Sequence, residues 1–425
     1  MRSIRSNHNM IAVSAGSKET AINTAQTLDL SLLAAIENII SLTPRRESNK
    51  DEATGKEEAD TIYDLGKTSA LALSFDKAQP QHFAFLYAYA LGLIATTAAG
   101  TGYQHAITPM DGDLETARSL PSFTAAQRLG KTITRELFTS LFINSVTASF
   151  AKDSFCKVSA EAVGTGKYDS SIVSESITAA ENVTSLTLAA NGVDGSTAAE
   201  RLDAIHQIKV ELTSGVWTEV AYSAVSSATP AVITITAPGV AVTARTYKVL
   251  YAPTAAAWMT FPARVAETPL RVSEIIFKIG GKWNGTAFAG GREMGAEINS
   301  IEHKLANNGN VEYTPGAGGS YASRYFREGR EQTLTLDREF RDYILRNYMN
   351  TNETFGAQIL AEGLEFDTGQ KYGVELIFPK LGVLDAPISV NGKRLAEKGD
   401  MTVLQDDTYG SIIVKVKNLQ TGYAA

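Results

Sequence analysis

The residues that could do chemistry in this chain are few, and their spacing works against most of the chemistry they could do. Gly66-Lys67-Thr68 and Gly130-Lys131-Thr132 resemble the end of a phosphate-binding loop, but such a loop needs a further glycine five positions before its last one. Those positions hold Thr61 and Ala125. Without that glycine the backbone cannot wrap a phosphate, and both triplets read as strand starts. His8, His82, His105, His206 and His303 contain no pair at the helical spacing of metal ligands. Cys156 is the single cysteine, so no intrachain disulfide and no thiolate cage can form. Asp406-Asp407 and the pair Glu293/Glu297 are the nearest approach to paired acid and base groups. Adjacent acids read as a solvated turn, and acids four apart as a solvated face. No Gly-x-Ser-x-Gly elbow is present. The three Asn-x-Ser/Thr matches, at Asn182, Asn284 and Asn352, are expected by chance in so Thr- and Ser-rich a chain. The expectation is therefore a protein that is not an enzyme, with no cofactor and no metal.

Composition points the same way. The chain has 425 residues, 44% hydrophobic and 20% charged, with a net charge of −7. That is a folded protein large enough for two or three domains, too acidic overall to grip nucleic acid through its phosphates. The N-terminus has a short apolar patch, Met10–Val13, but not the longer run of a secretory signal. The apolar stretch Phe83 to Ala99 approaches membrane-spanning length. Tyr87, Tyr89, Gly92 and a Thr pair interrupt it, so it reads as a buried helix, with no membrane partner expected.

Several elements can be placed. Residues 44–60 form a long polar loop of mixed charge, mobile unless a partner orders it. Thr68 to Phe75 alternates with the two-residue period of a half-buried strand. Pro80 marks a helix start, after which Phe83, Leu86, Tyr87, Ala90, Leu91 and Ile94 lie on one stripe. Thr139–Ala148 and Phe155–Ala162 are strand-like. From about Lys167 to Pro262 the chain is Ala, Thr, Ser and Val. Short alternating runs recur there at 183–188, 208–212, 232–236 and 247–251, bounded by glycines and prolines, as in a small antiparallel sandwich.

One module occurs twice. Ala35–Ile40 resembles Ser300–Leu305. A polar, Gly-bearing loop follows each, and in the second copy it is Asn307 to Ser320. Each loop leads to a strand, Gly66–Leu73 or Gly329–Leu336, and then to a helix. The second helix is expected over 338–349, with Asp337 as N-cap. From Ile36 to Leu71 is 35 positions (71 − 36), and from Ile301 to Leu334 is 33 (334 − 301). The organisation expected is an N-terminal arm over 1–27, module 1 over 28–166, an inserted Ig-like β-sandwich over 167–262, and module 2 over 263–425. The fold class expected is mainly β: two sandwich or barrel modules, each with one packed helix, plus the insert.

This layout resembles the tail tube proteins of long-tailed bacteriophages. The resemblance is carried by Ser17-Lys18-Glu19-Thr20, the 44–60 loop, the strand–helix pair ending Ala90-Leu91-Gly92, and Leu120-Pro121-Ser122-Phe123-Thr124. In the second half it is carried by Ala296-Glu297-Ile298-Asn299 and Leu376-Ile377-Phe378-Pro379-Lys380. It covers about 16–165 and 265–425. The resemblance implies a virion structural protein, made in the host bacterial cytoplasm and resident in the virion tail. Its main partner would be itself: stacked rings forming a conduit through which DNA passes without specific binding. With two modules per chain, three chains would supply a pseudo-six-fold ring, and a hexamer of whole chains is the alternative. Tape measure, terminator and, in a contractile tail, sheath proteins are the implied further partners. Arg45, Arg46, Glu47, Lys50, Asp51, Glu52, Lys56, Glu57 and Glu58 of the first loop, with Asn307, Asn308, Asn310 and Tyr313 of the second, are the residues expected to reach a neighbouring subunit or ring. The alternatives are another virion ring component, such as a terminator or baseplate protein, and a β-rich carbohydrate-binding adhesin. Trp217, Trp258 and Trp283 are too isolated to favour the adhesin.

Overall fold

The computed structural model describes residues 8–112, 119–131, 134–254, 260–265, 267–295, 297–314 and 320–424. It is mainly β, with several antiparallel sheets, and among the described residues the strand pairings do not close into a barrel. Two compact units are present. One comprises 1–12, 125–137 and 168–262, and the other comprises 13–124, 138–167 and 263–425.

The larger unit holds both expected modules, which are not separate bodies. Its framework is β1 (Ile40–Ser48), β2 (Ile62–Phe75), α1 (Pro80–Leu91), β3 (Gly92–Ala99), β4 (Gly102–Pro109), β5 (Thr134–Ala151), β6 (Lys157–Gly164), β7 (Ile298–Ala306), β8 (Glu331–Glu339), α2 (Ile344–Thr351), β9 (Phe355–Asp367), β10 (Gln370–Asp385), β11 (Ile388–Asn391), β12 (Arg394–Val403) and β13 (Ile413–Asn418). Hydrogen-bonded neighbours run β1, β2, β6, β5, then β7, β8, β12, and from β12 to both β10 and β11.

That series is one four-strand arrangement made twice, and the registers show it. Ile40 lies opposite Leu71, and His303 opposite Leu334, so both hairpin strands map with the same offset of 263 (303 − 40 and 334 − 71). Ala70 opposite Val163 maps onto Thr333 opposite Thr402, which places β12 at 239 beyond β6 (402 − 163). Leu141 opposite Gly164 maps onto Leu381 opposite Val403, which places β10 at 240 beyond β5 (381 − 141). Even the irregularities match. The ladder shifts between Ile143 and Ser145 in one copy and between Val383 and Asp385 in the other, again 240 apart (383 − 143). A β-bulge re-aims a strand, so preserving its position preserves the bend of the sheet.

The registers also correct the repeat as read from sequence. At this offset Ala35 and Ile36 map onto Ile298 and Asn299 at the start of β7, but they are not strand themselves, because Ala35 to Asn38 form a turn closed by the Asn38 N–H donating to the Ala35 carbonyl at 3.1 Å. The true equivalent of Ile40 is His303, not Leu305. The second helix is likewise shorter than expected. Arg338 belongs to β8, and α2 begins at Ile344, because Asp342 rather than Asp337 accepts the first free amide, that of Ile344, at 3.1 Å.

α1 forms where expected. Pro80 stands at its first turn, the His82 ring accepts the Gln79 N–H at 3.2 Å, and Gly92 ends it in the left-handed region at φ 93°. All twelve of its residues are buried, so it is a helix enclosed on every side rather than one with a single apolar stripe. The apolar stretch continues past the helix as β3, and Ile94 therefore lies in a strand. Among the described residues no helix is long and apolar enough to cross a membrane.

Part of the segment expected as an N-terminal arm is packed. Glu19 is buried, and its carboxylate accepts from Ser122 Oγ (2.8 Å), Thr124 Oγ1 (2.6 Å) and the Ser140 amide (2.9 Å). Three short donors satisfy a charge that burial alone would make costly.

In the smaller unit, one sheet pairs 173–180, 244–251, 205–213 and 216–219, and the other pairs 185–187, 232–235 and 222–225. Leu186, Ile208, Val210, Ile233, Tyr247, Val249 and Tyr251 fill the space between them. This is the expected small sandwich. One helical turn, Ala198–Asp203, is added, with the Thr197 side chain accepting the Glu200 N–H at 3.2 Å. The unit extends beyond 167–262 by taking in 1–12 and 125–137.

Candidate assembly interface

Three of the five histidines, His82, His105 and His303, are buried, while His8 and His206 are exposed. His82 stacks on Phe75 with ring centroids 4.0 Å apart, and burial pushes its pKa down to about 3. His303 receives or gives a hydrogen bond to Tyr87 Oη at 2.8 Å, and burial lowers its pKa to about 4. His105 lies within 3.1 Å of Asn418 Oδ1. Asp406 is the turn that adjacent acids suggested, its Oδ1 accepting from the Thr408 and Tyr409 amides at 2.9 and 3.0 Å. Glu293/Glu297 is not a solvated face. Glu293 is exposed, but Glu297 is 5% exposed and lies among Arg292 and Arg338. Among the described residues no group of three or more His, Cys, Asp or Glu is placed to hold a metal ion. Gly66 is inside β2 rather than at its start, and Gly130-Lys131 follow the strand Phe123–Leu129. Thr132 lies outside the described residues, as do Ala296 and 315–319.

What the chain does expose is strand edge and hairpin arm. The polar stretch read as a loop over 44–60 begins as strand: Pro44, Arg45, Arg46 and Glu47 belong to β1 and pair with Lys67, Gly66, Asp64 and Tyr63 of β2. Only 49–61 connects the two strands. Asn49 knits that connection, its Nδ2 donating to Asp60 Oδ1 at 2.7 Å and its Oδ1 accepting the Asp60 and Thr61 amides at 3.1 and 3.2 Å. Lys56 pairs with Asp60, and that contact first, with Asn49 second, holds the Asp60 carboxyl below its usual range. Tyr63 donates to Glu52 at 2.8 Å, which holds its phenol above the usual range. The connection thus makes hydrogen bonds among its own side chains and backbone. Lys50, Asp51, Glu52, Lys56, Glu57 and Glu58 all stay exposed on it.

The arm carries apolar residues that sequence reasoning passed over. Ile62 is 68% exposed, Leu65 51% and Tyr63 44%. Period-two alternation gives no hint of them, because an alternating strand reads as half-buried whether or not its own chain supplies the cover.

The four second-loop residues separate. Asn307 is fully buried, donating to the carbonyls of Ala90 (3.0 Å) and Ile143 (3.1 Å), so it is a structural strut rather than an exposed contact. Asn308, in the left-handed region at φ 47°, and Asn310 are exposed. Tyr313 lies under the Arg45 guanidinium, 5.0 Å from ring centroid to Cζ, and its hydroxyl donates to the Lys67 carbonyl. The two expected contact loops therefore meet at one pair, Arg45 and Tyr313.

Inside the chain, the two copies of the framework are joined edge to edge. β7 pairs with β5 from Ser300 opposite Ala151 to Ala306 opposite Ser145. Tyr87 and His303 stack across this joint, as do Phe142 and Tyr325 at 4.1 Å. Edge-to-edge pairing extends a sheet without limit unless it closes on itself or is blocked. No protein-family model matches the chain, and no curated protein matches it.

Proposed function

We propose that this chain is a virion structural protein whose copies join into rings, stacked as the tail tube of a long-tailed phage, and that three chains make each ring. The observation that carries the reading is the framework made twice in matching registers, with its two copies joined by β5 and β7. A chain that already contains one such joint is a building block for a closed circle of them. Three chains give six frameworks with pseudo-six-fold symmetry, and closure removes the strand edges that would otherwise aggregate. The exposed arm at the β1–β2 hairpin, with Ile62, Tyr63 and Leu65, suits contact with a neighbouring chain or ring. The net charge of −7 suits a conduit along which DNA slides without being held. Tape measure, terminator and sheath proteins would meet the tube at its ends and outer surface.

Negative-stain microscopy of the purified protein tests the reading. Hollow rings or tubes with three copies of the 168–262 sandwich per ring are expected. Six per ring would replace the trimer with a hexamer, and a protein that stays monomeric at every concentration refutes the assembly itself.

A further inference from the structure

A cavity of about 600 Å³ opens in the larger unit where the connection between β5 and β6 changes its neighbour. β5 runs beside β7 as far as Lys152, whose N–H donates to the Asn299 carbonyl at 2.8 Å. Two residues later the chain has a different partner. The Val272 N–H donates to Ser154 O at 3.1 Å, and the Cys156 N–H to Leu270 O at 2.9 Å. Asp153 makes the turn between the two in the left-handed region, at φ 58°, which Asp tolerates as a single residue. Residues of 271–275 and of 294–301 therefore line the cavity from two sides, with the connection as the third.

Its walls are apolar. Phe150, Met294 and Ile301 are at most 2% exposed, and half-buried Ile275 and Ile298 extend the same surface. Phe150 and Ile301 lie directly opposite each other in the β5–β7 ladder, so their side chains stand on one face. Met294 is fixed by its N–H, which donates to Phe277 O at 2.8 Å, and its unbranched thioether adapts to whatever it touches. Water in such a space finds few hydrogen-bond partners, whereas an alkyl chain displaces it favourably.

The mouth is cationic. Lys152 and Arg271 line it, both exposed, and among the described residues neither side chain has an ion-pair partner. Asp153 lies at the same rim, so two positive charges there stand against one negative. The planar guanidinium of Arg271 can take both oxygens of a carboxylate, and the Lys152 ammonium adds a point charge beside it.

An apolar cavity with a cationic rim suits a straight alkyl chain that ends in an anion. Its volume falls within the range of roughly 300–1,000 Å³ usual for small-molecule sites. We propose that this cavity binds a single-chain anionic amphiphile of the fatty-acid class, its chain against Phe150, Met294 and Ile301 and its head group between Lys152 and Arg271. The site lies wholly within the larger unit and does not depend on the ring reading.

Calorimetric titration of the full chain with dodecanoate, below its micellar concentration, tests this. Saturable binding at one site per chain is expected. Each buried methylene is worth about fourfold in affinity, so decanoate should bind roughly fifteenfold more weakly. Dodecyltrimethylammonium has the same tail with a cationic head and should bind roughly tenfold more weakly than dodecanoate. Gly295 lines the cavity, and a Cβ there would meet no atom within 4 Å. Gly295→Phe therefore adds a ring in open space, and it should abolish binding while leaving the melting temperature unchanged. Lys152→Glu with Arg271→Glu changes only exposed side chains and should reverse the order of the two head groups. A diazirine analogue of dodecanoate locates the site, with photocrosslinks expected within 150–155, 271–275 or 294–301. Unchanged affinity in Gly295→Phe, or crosslinks confined to other surfaces such as the Ile62–Leu65 arm, overturns the site. Equal affinity for the two head groups overturns the role of Lys152 and Arg271, and an absence of saturable binding overturns the whole proposal.

Discussion

Equivalent sites in the two framework copies are filled by opposite chemistry. Phe75 opposite Val158 maps onto Arg338 opposite Glu397 (75 + 263 and 158 + 239), and all four side chains are at most 1% exposed. Arg338 donates from Nε and Nη2 to Glu397 Oε2 at 2.9 and 2.6 Å, and from Nη2 to Asp342 Oδ1 at 3.0 Å. Removing one partner of a buried pair strands the other charge and costs about 3–5 kcal/mol, whereas replacing both with well-packed apolar groups is neutral or gains about 1–4 kcal/mol. Arg338→Phe alone should therefore destabilise the larger unit by about 3–5 kcal/mol, since among the described residues no other side chain pairs with the Glu397 carboxylate and its Oε1 already lacks a partner. Arg338→Phe with Glu397→Val should recover most of that loss, because the same backbone geometry already accommodates Phe and Val in the first copy. Trp283, 3% exposed in the larger unit, reports unfolding in urea once Trp217 and Trp258 are replaced by Phe. A double variant no more stable than Arg338→Phe would refute the claim that the two sites are interchangeable.

Other consequences can be checked together. Burial raises the pKa of Glu267 to about 7 from an ordinary 4.5, so the folded state holds its proton more tightly than the unfolded chain. Its contribution is present in full below pH 4.5 and is lost as pH rises to 7, and Glu267→Gln should flatten that fall by a few kcal/mol in melts at pH 5 and pH 8. His82 and His303 work in the other direction, since their pKa values of about 3 and 4 lie below the ordinary 6.5. Their contribution is present above 6.5 and is lost as pH falls through 4, so titration of their ring signals by NMR should show both neutral at pH 6. Asn307→Ala strands the buried Ala90 and Ile143 carbonyls and should cost about 1–3 kcal/mol by urea unfolding. Ile62→Lys with Leu65→Lys should leave the melting temperature unchanged while abolishing rings in micrographs, if the hairpin arm is an assembly surface. Val173 lies opposite Tyr251, so splicing 172 to 252 removes most of the sandwich at a point where the chain ends are adjacent, and rings should still form.

The sequence by itself determined the element types and the fact of duplication. Pro80 and Gly92 bracket α1, alternating runs mark the strands, and the Gly-x-x-x-x-Leu-x-Leu strands of both copies are local signals that need no partner to be read. The small sandwich was legible for the same reason, since its strands are short and separated by Gly and Pro. Register was not legible. Sequence similarity aligned Ile40 with Leu305, while hydrogen bonding aligns it with His303, because pairing depends on which residue a distant strand sets opposite. Nor could sequence separate Asn307, buried as a strut, from exposed Asn310, or show that Glu297 and Arg338 share a buried cluster. The tertiary structure alone decided that the two modules form one body, joined where β7 meets β5. That joint pairs residues 149 to 161 apart in the chain (300 − 151 and 306 − 145), and a contact of that range is specified by the closing of the sheet, not by any local pattern.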